Sequence, residues 1–140
     1  MKAHLTRRYW FAASHRLNSG RMSAAENRRT YGKCNNPYGH GHNYALEVTV
    51  AGPVEASTGM VCNITELDGF VEREILEPFG HSNLNRLAPF RGKVPTTENL
   101  CIEVYNRLER GFHAARVEKV RLEETMLNAF EYGGAPGVRT

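Results

Sequence analysis

Nowhere in the 140 residues does an apolar run approach the roughly 20 residues needed to cross a bilayer, so no membrane partner is expected. The opening segment, Met1 to Arg8, lacks the apolar core of a secretory signal, and a cytoplasmic chain is the expectation. Cysteine is scarce and odd in number: Cys34, Cys62 and Cys101. That excludes a disulfide scaffold, which needs a denser, even set. No Cys-x-x-Cys is present, which counts against a structural zinc module. Acids are nearly missing from the first 33 residues, where Glu26 stands alone against Lys2, Arg7, Arg8, Arg16, Arg21, Arg28, Arg29 and Lys33. Over the whole chain the net charge is only +3, so the imbalance is local. It reads either as a solvated basic face or as a place for an anionic ligand, a phosphorylated metabolite or nucleic acid.

What is present is an ordinary globular composition, 41% hydrophobic and 24% charged. No repeat and no composition break divides it, so residues 1–140 read as one domain. The informative stretch runs from Lys33 to Tyr44, with His40-Gly41-His42 following the turn signal Asn35-Asn36-Pro37. Alternate side chains of a strand share a face, so His40, His42, Tyr44, Leu46, Val48 and Val50 lie on one side. In Tyr9 to His15, the residues Tyr9, Phe11, Ala13 and His15 likewise share a face. If these two strands pair, three imidazoles meet at one end of a sheet. Three histidines with an open fourth position is the ligand set of a catalytic zinc.

The chain in order predicts a strand from His4 to Leu17, then a capped helix from Ser23 to Thr30 with Glu26 closing the capping box. A second strand covers His40 to Ala51, and a short one Met60 to Cys62. Asn63 caps a helix with Ile64, Leu67, Phe70, Val71 and Ile75 on one side, ended by Pro78. A loop through His81 leads to a helix starting at Thr96-Thr97-Glu98, whose stripe of Leu100, Cys101, Val104, Tyr105, Leu108 and Phe112 reads as core. The last strand is Arg116 to Thr125, and the tail from Gly133 reads as flexible. The class is α+β, a mainly antiparallel sheet with helices on one face, whose open edges make oligomerisation plausible.

Three further residues belong to the candidate chemistry. Cys34 sits in a polar loop near the histidines, where a thiolate would serve as base or nucleophile. His81 reads either as a surface histidine or as that thiol's partner across the fold. Glu124 shares the apolar face of its strand with Val120 and Leu122, so it needs a salt bridge or a ligand.

These pieces resemble the 6-pyruvoyl-tetrahydropterin synthase family. The resemblance rests on Phe11-Ala12-Ala13-Ser14-His15-Arg16-Leu17, on Gly32 through Tyr44, on Thr58-Gly59-Met60-Val61, on Pro95-Thr96-Thr97-Glu98-Asn99 and on Glu124-Thr125. It implies the T-fold, a four-stranded antiparallel sheet with two helices packed on one face, assembled as a hexamer of two trimers. It implies Zn2+ on His15, His40 and His42, and 7,8-dihydroneopterin triphosphate as substrate. Cys34 then moves the protons, His81 activates it, Glu124 anchors the pterin ring, and Thr96, Thr97 and Glu98 line the pterin pocket. Triphosphate is eliminated and the side chain is internally oxidised.

One departure is visible. The family pattern has an acid just before the loop histidine, and here that position is Gly80. A slow enzyme is the expectation, one that Gly80→Asp would speed. The alternative reading is the related 6-carboxy-tetrahydropterin synthase of queuosine biosynthesis. There the cysteine stands closer to the His-Gly-His, whereas five residues separate Cys34 from His40. The remote alternative, a zinc-containing nucleic-acid module, is disfavoured by the missing Cys-x-x-Cys, and no nucleic-acid partner is expected.

Overall fold

The computed structural model of the chain describes residues 2–134. Its strands are β1 (Lys2–His15), β2 (His40–Pro53), β3 (Ser82–Asn83), β4 (Arg116–Thr125) and β5 (Asn128–Tyr132). Its helices are α1 (Ala24–Tyr31), α2 (Ile64–Val71), α3 (Glu77–Phe79) and α4 (Thr97–Gly111). One sheet of five strands results, in the order β3-β1-β2-β4-β5. All pairings are antiparallel except that of β3, which adds two residues in parallel to the edge of β1.

This corrects the four-stranded antiparallel expectation. The fold is α+β as expected, but two short edge strands were not predicted. β5 was hidden by its turn, which carries no glycine or proline. Instead the Thr125 hydroxyl accepts from the Leu127 N–H at 3.1 Å and donates to Asn128 Oδ1 at 2.8 Å, leaving Met126 and Leu127 exposed. Conversely, the strand expected at Met60 to Cys62 is absent. Gly59 turns there with φ +71°, and Asn63 immediately caps α2, accepting from the Thr65 N–H at 2.8 Å. The first strand also stops at His15 rather than Leu17, because the Leu17 N–H is drawn to the Cys34 carbonyl at 2.7 Å. The tail from Ala135 lies outside the described residues.

The core lies between one face of the sheet and the helices. Strand parity supplies Tyr9, Phe11, Tyr44, Leu46, Val48, Val120 and Leu122, and the helices supply Leu67, Val71, Ile75, Leu100, Val104 and Leu108. Burying one such aliphatic side chain is worth about 1.5–3 kcal/mol. The stripe of α4 is therefore core, as its spacing predicts. Its start is set by Thr96, whose hydroxyl accepts from the Asn99 N–H at 3.1 Å.

Helix α2 does not stop at Val71. It continues through a π-type turn, Glu72–Leu76, into α3. Such a turn loosens the regular carbonyl ladder. Arg107 of α4 donates to the Glu74 carbonyl at 3.1 Å and stacks on Phe79 at 4.6 Å. Pro78 has no N–H to offer the Glu74 carbonyl four residues earlier, Arg107 supplies that donor instead, and the helix ends one residue later at Phe79.

Candidate metal and pterin site

The β1–β2 register builds the site. His15 stands directly opposite His40, and Ala13 opposite His42, so the three imidazoles sit on one face at the end of the two long strands. Ring centroids are 5.4 Å apart for His15 and His40, 4.9 Å for His15 and His42, and 4.6 Å for His40 and His42. Gly39 makes this approach geometrically feasible. It holds φ +71°, and a Cβ there would lie 2.9 Å from the His15 carbonyl oxygen. The turn before it is closed by the Gly39 N–H donating to the Asn36 carbonyl at 2.8 Å.

The electrostatics favour a cation. His15 is buried, and its Nδ1 bonds the Pro95 carbonyl at 2.9 Å. A carbonyl only accepts, so Nδ1 carries the proton and Nε2 offers a lone pair. The Nε2 atoms of His15, His40 and His42 are all buried without a hydrogen-bond partner. Three orphaned imidazole nitrogens are costly unless something binds them, and neutral imidazole suits zinc. Burial pushes the His15 and His42 pKa values down, which keeps both rings neutral. The ligand atoms of His15, His42 and Glu124 lie within 4.8 Å of one another, and so do those of His15, Cys34 and His40. The two donor groups, which share His15, therefore suit a divalent metal ion such as zinc.

The remaining predicted residues divide. Glu124 is brought in: its Oε1 lies 3.1 Å from His42 Nε2, although the contact is not directed as a hydrogen bond. Its Oε2 accepts from the Thr97 hydroxyl, and Thr97 is buried. Cys34 is brought in, half-buried, and burial followed by the Glu124 charge raises its pKa. Thr96 spends its hydroxyl on the helix cap, and Glu98 is exposed in the first turn of α4.

His81 is not brought in. Exposed and held at φ +54°, it donates its backbone N–H to the Ala12 carbonyl at the β3 edge. There it lines a depression of about 370 Å³ with Ala12, Ser14, His42 and Asn43. Among the described residues no hydrogen bond joins its ring to Cys34. Sequence reading also missed Pro95 and Gly39 as builders of the site. Pro95 acts through a backbone carbonyl, which has no side-chain signal, whereas Gly39 follows a turn motif and was readable.

A model of the 6-pyruvoyl tetrahydropterin synthase family matches residues 4–135. The chain belongs to that family. It is 45% identical over 132 residues to 6-pyruvoyl tetrahydrobiopterin synthase of Poecilia reticulata, covering 94% of this chain and 90% of the relative. The human protein of that name is 42% identical over 134 residues, covering 95% and 92%. The solved 6-pyruvoyl tetrahydropterin synthase of Caenorhabditis elegans superposes with a TM-score of 0.92 at 36% identity, over 96% of this chain and 97% of that one. A more distant relative, a putative 6-carboxy-5,6,7,8-tetrahydropterin synthase of Archaeoglobus fulgidus, is 33% identical over 104 residues, covering 74% and 84%.

Within this member of the 6-pyruvoyl tetrahydropterin synthase family, Gly80 has a steric meaning that composition alone hides. Its φ is −65°, so no left-handed backbone demands glycine. The demand is close approach: a Cβ would lie 2.5 Å from the Leu76 carbonyl oxygen, which also accepts the Gly80 N–H at 2.8 Å. Gly80→Asp must therefore open the end of the preceding helix. The expected outcome is a loss of about 1–3 kcal/mol of stability and no gain in turnover. A thermal melt with a matched rate measurement checks it; a faster enzyme of unchanged melting temperature would contradict the steric reading.

Proposed function

We propose that the chain is a zinc-dependent lyase that eliminates inorganic triphosphate from 7,8-dihydroneopterin triphosphate and yields 6-pyruvoyl-tetrahydropterin. The observation that carries this reading is the convergence of three orphaned imidazole nitrogens with Cys34 and Glu124. The relatives named 6-pyruvoyl tetrahydrobiopterin synthase, at 42–45% identity, support it. Zinc held by His15, His40 and His42 supplies a Lewis acid that makes a bound side-chain hydroxyl more acidic. The protein's own groups do the rest. Cys34 Sγ takes and returns protons at the substrate side chain. Thr97 fixes one oxygen of Glu124, and the carboxylate receives adjacent N–H groups of the pterin ring.

Glu124 also lies within ligand reach of the metal cluster, so its two roles must be separated. Glu124→Gln is expected to weaken pterin binding by about 1.5–3 kcal/mol, the scale of a hydrogen bond to a charged group. Zinc content should stay at the parental level. Calorimetric titration with a pterin and metal analysis of the same sample check both. A variant that loses zinc would make Glu124 a ligand instead of the ring anchor.

The chain acts as a hexamer of two trimers. Support comes from the sheet edges, the two-residue β3 and the five-residue β5, and from the outward sheet face. That face carries a ladder in which Glu47 pairs with Arg8 at 3.5 Å and Arg121 at 3.1 Å, beside a two-thirds exposed Trp10. Because His81 lies at the β3 edge, it serves the Cys34 of a neighbouring copy. The carboxy-type alternative draws support from the archaeal relative alone, at lower identity and coverage. Mass-spectrometric identification of the product decides between them.

A further inference from the structure

Tyr44 is the bulkiest fully buried side chain among the described residues. Strand parity places it on the face of His40 and His42. The β1–β2 register sets it opposite Phe11, on which its ring stacks at 5.2 Å and 22°. The same ring stands edge-on to His42 at 5.7 Å. Its hydroxyl lies 3.4 Å from Nδ1 of His15. One side chain thus adjoins two of the three imidazoles. Among the described residues the hydroxyl has no other polar partner.

The contact with His15 runs in one direction only. Nδ1 carries a proton, because it faces the Pro95 carbonyl at 2.9 Å, and a protonated nitrogen cannot accept. The Tyr44 oxygen therefore accepts a share of the Nδ1–H beside that carbonyl. Its own O–H is left without an acceptor at zero exposure. A buried donor left unpaired destabilises a fold, and phenylalanine would fill the same space and keep the stack on Phe11 without that penalty. Tyr9, on the same face of the sheet, is the contrast: its hydroxyl donates to Asp68 Oδ1 at 2.7 Å, and folding accounts for it. Folding gives no such reason for the hydroxyl of Tyr44. What its oxygen faces is the nitrogen across the ring from the metal-binding atom of His15. A cation on Nε2 draws positive charge onto the imidazole and makes Nδ1–H a stronger donor. Two acceptors then stabilise the ring better than one, and burial leaves that gain little screened.

We propose that Tyr44 is a positioning residue of the metal site: with the Pro95 carbonyl, its phenol oxygen holds the His15 ring with Nε2 turned to the cation and tightens the protein's hold on that cation. The role rests on the zinc reading above. The test compares Tyr44→Phe with the parent by chelator competition for zinc, by the melting temperature of the metal-free protein and by turnover. Zinc binding is expected to weaken about tenfold, the low end of the range for a group that supports a ligand. The metal-free melting temperature should stay level or rise, since an unpaired buried donor has gone. A merely structural hydroxyl moves both readouts the other way, and Tyr9→Phe is that control: it should melt lower and hold zinc as the parent does. Parental zinc affinity in Tyr44→Phe overturns the role. So does a metal-free Tyr44→Phe protein that melts below the parent, or an equal loss of zinc in Tyr9→Phe. Tenfold weaker zinc binding in Tyr44→Phe, in a parent that does not turn over 7,8-dihydroneopterin triphosphate, upholds the role and overturns the proposed reaction instead. A parent that binds no zinc overturns the three-histidine assignment and this role with it.

Discussion

His42→Ala is expected to leave the protein folded but nearly free of zinc. His42 is on a strand whose register with β1 places it beside both other imidazoles, and its Nε2 has no hydrogen-bond partner to lose. Truncation therefore removes the proposed ligand and, besides it, only the 3.1 Å contact with the Glu124 carboxylate. Loss of a partner that merely supports a ligand costs about 10–100-fold in metal affinity, and loss of a ligand itself should reach at least the upper end. Metal analysis by mass spectrometry after dialysis reads the outcome directly. The parent should carry one zinc per chain. A His42→Ala protein holding a full complement would remove the three-histidine assignment. His15→Ala is a poorer test, since His15 is buried and its Nδ1 also ties β1 to the Pro95 carbonyl.

Cys34→Ala is expected to lose turnover by about 10²–10⁴-fold, the range for a group that transfers protons in the rate-limiting step, while still binding pterin and zinc. Burial and the Glu124 charge raise the thiol pKa, and a cation held by the imidazoles together with a base would favour the thiolate. Among the described residues, the same chain's His81 makes no hydrogen bond to that thiol. If a neighbouring copy supplies the base, Cys34→Ala and His81→Ala chains refolded together should regain part of the activity that each lacks alone. Mixed assemblies with no recovery would place both residues in one chain's site, against the geometry. Parental turnover in Cys34→Ala would end the proton-transfer role altogether.

Much of the site was legible because strand parity is a strict period. His15, His40 and His42 share faces with Tyr9, Phe11, Tyr44 and Leu46, and those faces are the buried ones. Glu124 was found by the same parity, as a carboxylate out of place beside Val120 and Leu122. What parity does not carry is the way short edges and backbone contacts assemble. β3 has two residues, too few for any pattern, and it decides on which side His81 stands. The Pro95 carbonyl sets the His15 tautomer without any side-chain signature. Gly80 was read as a missing acid, and the structure adds the reason that no side chain fits: the carbonyl of Leu76, four residues earlier in sequence. The basic excess of the first 33 residues had two readings in sequence. It divides in space, Arg7 going to Asp68 of α2 and Arg8 to Glu47 of β2 while Arg16, Arg28 and Lys33 line a cavity.

The most direct measurement is to incubate the zinc-loaded protein with 7,8-dihydroneopterin triphosphate and identify every product by mass spectrometry. The account predicts inorganic triphosphate and 6-pyruvoyl-tetrahydropterin in equal amounts, and neither from Cys34→Ala. A 6-carboxy pterin with acetaldehyde would assign the chain to the sister reaction, and an unchanged substrate would contradict the proposed chemistry outright.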